Sequence, residues 1–131
     1  MIDLIINENI ELLNPFLLAK YLGIKITYSK LGAERKGLEA ALIPMLENFR
    51  HPFTIVCDSW VPPQQNAIRI QADRVGHELA HTFFYSWEVR PPHTNINGWE
   101  YDPVLEEFCH NFAVFLLQQA DAYGVTIYEI T

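Results

Sequence analysis

The chain has 131 residues, half of them apolar, and a formal net charge of −7 from 9 basic and 16 acidic side chains. This length and apolar share predict one domain, residues 1–131, with a core of its own. The scattered Lys and Arg residues argue against direct nucleic-acid binding, because phosphates attract clustered basic side chains. No apolar run is long enough to span a membrane and no signal peptide is recognisable, so the expected location is the cytoplasm.

The first third of the chain predicts one helix and one strand. Residues 1–13 are apolar with interspersed acids and predict a short helix or strand. Asn14 is an N-cap residue followed by proline, so a helix is expected over Pro15–Leu22, with Gly23 ending it. Residues 24–28 alternate in polarity, which is typical of a strand.

The middle of the chain, residues 31–50, is ambiguous. Residues 38–43 have helical propensity, but Pro44 would interrupt a longer helix. A strand that ends at Ile43, followed by a loop and a second strand, fits equally well. Residues 52–57 form a mostly apolar run bounded by turn residues, which predicts a strand.

A long helix is expected from the N-cap Asn66 to about Tyr85. One stripe at helical spacing is expected to face the core and comprises Ile68, Ala72, Val75, Leu79 and Phe83. His77 and His81 project from roughly the opposite side, toward a cleft. Residues 87–102, rich in Pro, Asn and aromatic side chains, predict a loop over that cleft.

A second long helix is expected from Asp102, as N-cap before a proline, to about Ala122, and Gly124 ends it. Residues 125–130 alternate and predict a terminal strand. The order of elements predicts the α+β class, with a short sheet packed on helices that carry the site.

The first long helix contains an H-E-x-x-H motif, His77-Glu78-Leu79-Ala80-His81. Each helical residue turns by about 100°, so histidines four apart lie about 40° apart on one face and can hold one zinc ion together. Glu78 is placed to accept a proton from a zinc-bound water as general base. A catalytic zinc site of this kind needs a third protein ligand.

Several downstream side chains can supply the third ligand, namely His93, Glu100, Glu106, Glu107 and His110. A helical wheel of the second long helix shows a broad apolar arc of Val104, Leu105, Phe108, Cys109, Phe112, Phe115 and Leu116. Glu107 lies in the middle of the polar side, whereas Glu106 lies at the edge of the arc. A ligand must point inward and still reach a cleft, so Glu106 is the expected third ligand. His110, one turn later, is expected to hydrogen-bond its carboxylate or to be an additional ligand.

The two helical motifs together resemble the ImmA/IrrE family of metallopeptidases. That family has an H-E-x-x-H helix and then a helix of the form E-x-x-A-N-x-F-A-x-x-L-L, which is similar to residues 106–117, Glu-Glu-Phe-Cys-His-Asn-Phe-Ala-Val-Phe-Leu-Leu. Residues 14–26 resemble the family's opening helix and strand, and residues 53–56 its strand before the zinc helix. The likeness therefore spans residues 14–117.

This resemblance implies a small zincin-like α+β fold with two zinc-bearing helices and with strands within residues 38–57. It also implies Zn2+ as cofactor, bound by His77, His81 and Glu106. Family members often cleave helix-turn-helix repressors encoded nearby, in mobile elements or stress responses. The implied partner is therefore a protein or peptide substrate, such as a repressor on a separate chain.

The chain departs from the family form at Cys109 and His110, where alanine and asparagine or aspartate are usual. It also has Ala80 in the zinc motif, where glycine is common, and Gln118-Gln119 after the second helix, where Met-Pro is usual. The departures at Cys109 and His110 bear on the surroundings of the metal. Both cysteines, Cys57 and Cys109, are expected to be buried thiols.

The expected function is that of a zinc-dependent metalloendopeptidase in which Glu78 is the general base. A further donor should stabilise the tetrahedral oxyanion, and Tyr85, His93 and Tyr101 are the candidates. Two alternatives are a non-proteolytic zincin-like protein-binding module and a phage or mobile-element accessory protein that works by partner binding. The intact Glu78 favours the protease, because a structural metal site needs no general base.

Overall fold

The computed structural model describes residues 2–46, 49–87 and 103–130. This part of the chain contains four α-helices and three strands, in the order α1 (Ile2–Glu8), α2 (Pro15–Leu22), β1 (Lys25–Ser29), β2 (Ala40–Pro44), β3 (Phe53–Asp58), α3 (Ala67–Thr82) and α4 (Pro103–Ala122). Short 3₁₀ helices lie at Ile10–Leu13 and Ala33–Arg35. The predicted α+β class is therefore confirmed.

The predicted helix α2 has both of its expected ends. Asn14 is fully buried, and its Oδ1 accepts a hydrogen bond from the backbone N–H of Phe16 at 3.2 Å. The Nδ2 of the same side chain donates to the carbonyl of Tyr128 at 3.0 Å. Gly23 adopts φ 79°, a left-handed conformation that glycine accepts without steric cost. Asn14 thus begins α2 and also anchors the segment that follows α4.

The sheet has the strand order β1-β3-β2, with β1 parallel and β2 antiparallel to β3. Ile55, in the middle of β3, pairs with Ile26 on one side and Leu42 on the other. Ile55 is fully buried, as expected for a central strand that is covered on both faces. The helical interpretation of residues 38–43 is wrong, because this segment pairs with β3 along the whole of β2.

Helix α3 begins at Asn66, whose Oδ1 accepts a hydrogen bond from the backbone N–H of Arg69 at 3.1 Å. The predicted core stripe is confirmed at its centre, where the fully buried side chains are Ala72, Val75 and Leu79. Ile68 is 43% exposed, so its predicted place in the core is wrong. Ile68 lines an open surface groove of about 280 Å³ beside the first turn of α3, so this face of its side chain is open to solvent.

Helices α3 and α4 pack as an antiparallel pair, with α3 also covering β2 and β3. Arg69 near the start of α3 contacts Asp121 near the end of α4. At Gly76 a Cβ atom would lie only 3.1 Å from the Cβ of Ala113, so glycine allows the two backbones to approach closely. This register brings the second half of α3 against the first turns of α4.

Helix α4 buries a narrower stripe than its apolar arc predicts. The buried arc residues are Cys109, Phe112 and Leu116, whereas Val104, Phe108 and Phe115 are 76%, 48% and 47% exposed. Among the described residues the helix packs mainly along α3 and the first 3₁₀ helix, so the outer edges of the arc remain partly exposed. No helix within the described ranges combines the length and the apolar character that crossing a bilayer requires.

Residues 125–130 do not form the predicted terminal strand, which is a correction to the expected fold. Val125 is buried, and Ile127 and Ile130 pack against the core, so the apolar side chains of this segment do face inward. The segment is held by this packing and by the hydrogen bond that Asn14 donates to the carbonyl of Tyr128, and it does not pair with a neighbouring strand. Alternation thus marks a half-buried extended segment here, and not a member of the sheet.

Candidate metal centre

The last two turns of α3 and the first turn of α4 bring three potential ligands together. The Nε2 atom of His77 lies 2.9 Å from Oε2 of Glu106, and that of His81 lies 2.9 Å from Oε1 of the same carboxylate. The two Nε2 atoms are 3.2 Å apart. The one-turn spacing of the histidines on α3 and the antiparallel register of α4 produce this convergence.

The donor set and its dimensions fit a small divalent ion. In a tetrahedral zinc site with bonds of about 2.0–2.1 Å, neighbouring ligand atoms lie about 3.3 Å apart. The three separations among His77, His81 and Glu106 are 2.9, 2.9 and 3.2 Å, so side-chain movements of a few tenths of an ångström accommodate an ion. Possible ligand atoms of His77, Glu78 and His81 also lie within 4.8 Å of one another. These residues can therefore hold a metal ion.

Of the two adjacent glutamates at the start of α4, only Glu106 reaches the histidines in the described structure. Its side chain is 25% exposed, whereas Glu107 is exposed to solvent. The difference arises from the turn of about 100° between successive helical residues. Glu106 therefore occupies the position that the helical wheel assigned to the third ligand.

Glu78 lies beside the histidines and is almost fully buried, with 8% of its surface exposed. Burial, followed by the negative charge of Glu106, raises its pKa from 4.5 to about 8. A cation bound between the histidines would offset both effects, because it attracts the ionised carboxylate. Glu78 is thus a carboxyl group with a pKa near neutrality, next to a potential metal site.

The protonation of His81 suits a metal ligand. Burial lowers its pKa, the charge of Glu106 raises it, and His77 lowers it again, with a net lowering. A lowered pKa keeps the imidazole neutral at physiological pH, and only the neutral ring has a lone pair to give to a metal. The buried position of this histidine therefore prepares it for ligation.

His110 and Asp73 flank the centre one turn away from it. His110 is exposed, and it acts electrostatically on Asp73, as His77 also does. The predicted hydrogen bond from His110 to Glu106 is not among the side-chain contacts of the described residues. Asp73 lies four residues before His77 and so on the same face of α3.

Of the three candidate oxyanion donors, only Tyr85 lies within the described residues. Tyr85 follows the end of α3, and its ring packs edge-on against Phe53 with centroids 6.2 Å apart. His93 and Tyr101 lie outside the described residues. Cys57 and Cys109 are fully buried free thiols, as predicted, and burial raises the pKa of each to about 12, so neither is a thiolate at neutral pH.

Comparison with known proteins found no relative: no family model, no curated protein and no solved structure matches the chain. The site must therefore be interpreted from its own atoms. His77, Glu78 and His81 form a group that can hold a metal ion, and the carboxylate of Glu106 lies against both imidazole rings.

Proposed function

We propose that the chain is a zinc-dependent metalloendopeptidase with a zincin-like fold. The observation that carries the proposal is the convergence of His77, His81 and Glu106 on one point, with buried Glu78 beside it. Two histidines and one carboxylate are a ligand set found in catalytic zinc sites, and they leave a fourth position free for water or substrate. Glu78 distinguishes the site from a structural one, which has no use for a buried acid.

The roles of the side chains follow from their positions. A bound zinc ion would supply Lewis acidity for the scissile carbonyl and would lower the pKa of a water molecule in the site. The Glu78 carboxylate receives a proton from that water while the water oxygen attacks the carbonyl carbon. Glu78 later delivers the proton to the amide nitrogen as the C–N bond breaks. A cation in the site would favour the ionised form of Glu78, which is the form that accepts the proton.

The choice of zinc and of the peptidase reaction has two supports beyond the geometry. Imidazole ligands suit zinc better than the hard cations magnesium and calcium, which prefer oxygen atoms. The quoted motifs in residues 77–81 and 106–117 resemble those of the ImmA/IrrE metallopeptidases. We extend the proposal from this resemblance to a regulatory protein, such as a helix-turn-helix repressor, as substrate and to a cytoplasmic location.

The proposal is tested by incubating zinc-loaded protein with a proteome-derived peptide library and with candidate repressors, and by identifying new termini by mass spectrometry. Wild-type protein should cleave, and chelation of the metal should stop cleavage. Glu78→Gln should bind zinc as tightly as the wild type but cleave about 10²–10⁴-fold more slowly, the usual contribution of a general base.

Glu107→Gln is the matched control, because it removes a carboxylate from an exposed position next to Glu106. It should leave both zinc binding and cleavage unchanged. Cleavage by Glu78→Gln at the wild-type rate would contradict the proposed mechanism. A zinc-loaded wild type that cleaves nothing in either set of substrates would favour the non-proteolytic binding module.

A further inference from the structure

Helix α4 carries a stripe of uncharged side chains on the side that faces solvent. Six exposed residues form this outer stripe, namely Val104, Phe108, Asn111, Phe115, Gln118 and Ala122. Four of the six side chains are apolar and none is charged, although the whole chain has a net charge of −7. The solvent side of a surface helix ordinarily carries charged and polar residues, so the outer stripe is a feature that neither the core nor the metal centre explains.

The outer stripe lies on the opposite side of α4 from α3. Its members fall within an arc of about 80° when each helical residue turns by about 100°. Glu106, which contacts the histidines of α3, lies about 160° around the helix from Val104. A molecule bound on the outer stripe would therefore leave the metal centre accessible.

The spacing within the outer stripe is that of a contact between two helices. Successive members are alternately four and three residues apart, from Val104 to Ala122. This is the a/d pattern of a coiled coil, in which a mean period of about 3.5 residues keeps one side of a helix facing a second helix. The pattern thus indicates that another helix covers the stripe.

Two phenylalanines dominate the surface of the outer stripe. Phe108 and Phe115 are 48% and 47% exposed. The ring of Phe108 packs edge-on against that of Phe84 at the end of α3, with centroids 5.5 Å apart, so its position is fixed while half of its surface faces water. Aromatic side chains bury a large area with little loss of conformational freedom, and they are common anchors of protein contacts.

We propose that the outer stripe binds the same stripe of a second copy of the chain, with the two α4 helices antiparallel about a two-fold axis at the level of Ala113. Every member of the stripe then has a partner within it, since Val104 meets Ala122, Phe108 meets Gln118 and Asn111 meets Phe115. Each bulky ring faces a smaller amide side chain, so the rings of the two copies do not compete for the same space.

The distribution of charge supports a second copy as the occupant. Two chains of net charge −7 repel each other, and the repulsion is smallest where the centre of the contact has no charge. Glu107 and Asp121 lie along the same edge of the outer stripe, so Glu107 of one copy faces Asp121 of the other in the antiparallel register. Asp121 is neutralised by Arg69, whose Nη2 lies 2.6 Å from its Oδ2. Glu107 therefore meets an ion pair and not a lone carboxylate.

The size of the contact predicts a weak dimer. The outer stripe spans 18 helical steps, which is about 27 Å at a rise of about 1.5 Å per residue. A single helix pair of this length buries less than about 1,200 Å² in total, the range of weak and transient contacts. The dimer should therefore dissociate on dilution.

Sedimentation velocity of the full chain, from about 1 μM to about 1 mM, covers the affinities expected for such a contact. The wild type should shift from a monomer of 15.2 kDa to a dimer as its concentration rises. Phe115→Lys should weaken the dimer by more than about 100-fold, because the symmetric contact loses two central anchors. Phe115→Leu keeps an apolar side chain and should still dimerise, and circular dichroism checks that both variants are folded.

The matched control is Leu4→Lys, which adds the same charge at a 65% exposed apolar position on α1, outside the stripe. It should dimerise like the wild type. Arg69→Ala tests the register, because it leaves Asp121 unpaired opposite Glu107. It should weaken the dimer about 2- to 30-fold, the effect of two exposed charge contacts related by symmetry. Asp121→Ala removes the facing carboxylate and should not weaken the dimer.

Three outcomes would contradict the proposal. A wild type that stays monomeric at every concentration would overturn it in favour of a helix from a different protein. A dimer that persists in folded Phe115→Lys would place the contact elsewhere on the surface. Equal dimer affinities for Arg69→Ala and the wild type would overturn the antiparallel register.

Discussion

The two ends of the α3–α4 pair join charged and polar side chains in opposite ways. At one end Arg69 donates to both carboxylate oxygens of Asp121, at 2.9 and 2.6 Å, and their side chains are 37% and 58% exposed. At the other end His77, His81 and Glu106 meet, with side chains only 23%, 9% and 25% exposed. The first end is a complete ion pair in water, whereas the second is a partly buried group of metal-ligand types.

This contrast favours the His77 end of the helix pair as the end that binds a ligand. At the Arg69 end the two opposite charges neutralise each other, so a bound ion is not needed there. At the other end, burial and the charge of Glu106 raise the pKa of Glu78 to about 8, so the folded protein disfavours its ionised form. A bound cation would relieve that conflict. Groups held against their electrostatic preference are a common sign of a functional site.

The largest effect should come from removing the carboxylate that joins the two helices at the metal end. Glu106→Ala deletes one of the three proposed ligands and should weaken zinc binding by more than about 100-fold, beyond the loss seen for indirect partners. Glu107→Ala, the adjacent exposed residue, should bind zinc like the wild type. Equilibrium competition with a chelator measures both. Zinc retained by Glu106→Ala and lost by Glu107→Ala would contradict the ligand assignment.

The second largest effect should be the pH dependence of the free energy of unfolding of the metal-free protein. Folding raises the pKa of Glu78 from 4.5 to about 8, so the folded protein binds this proton more tightly than the unfolded chain. The resulting stabilisation is fully present below pH 4.5 and is lost as the pH rises toward 8. The loss is about 1.4 kcal/mol for each pH unit within that window.

The Glu78→Gln variant has no ionisable group at position 78, so it lacks this pH dependence. Metal-free Glu78→Gln should therefore become more stable relative to the wild type as the pH rises from 5 to 8, which denaturant unfolding at several pH values can measure. Glu107→Gln serves as the control and should follow the wild type. A stability difference between Glu78→Gln and the wild type that stays constant across this range would show that folding does not perturb Glu78.

Local signals predicted the parts of the fold that depend on neighbouring residues in sequence. Asn14, Gly23 and Asn66 marked helix ends because caps act over two to four residues. The spacing of the two histidines placed them on one face, and helical rotation separated Glu106 from Glu107. These conclusions needed no knowledge of what packs against what.

The misses all depend on contacts between distant parts of the chain. Ile68 and Phe115 match the apolar pattern of their helices but are exposed, because no helix or strand of the described residues covers those edges. Residues 125–130 alternate like a strand but have no strand partner. Sequence periodicity gives the faces of an element, and tertiary packing decides which of them are covered.

A smaller effect is expected where the two helices approach most closely. Gly76→Val would place a branched side chain where a Cβ alone already lies 3.1 Å from the Cβ of Ala113. Overpacking of this kind typically costs about 1–3 kcal/mol, and it should widen the gap between α3 and α4. Ala122→Val, at the exposed end of α4, controls for the helix propensity of valine.

Denaturant unfolding and zinc affinity should both report the change at Gly76. Because His77 is adjacent in sequence, a wider gap moves it away from Glu106 and should weaken zinc binding together with stability. Full wild-type stability in Gly76→Val would show that the close approach of the helices is not required for the fold. Lost stability with unchanged zinc affinity would show that the ligands adjust independently of the helix spacing.

The smallest effect should come from the ion pair at the opposite end. A double-mutant cycle with Arg69→Ala and Asp121→Ala should give a coupling energy below about 1 kcal/mol, because water screens an exposed pair and ordering two side chains costs entropy. The coupling should fall further at high salt, where the Debye length shortens. Zinc affinity should remain at the wild-type value in all three variants, since this pair lies two turns of α3 from His77. A coupling of several kcal/mol, or a loss of zinc affinity, would mean that the two ends act as one unit and that the ion pair fixes the register on which the metal centre depends.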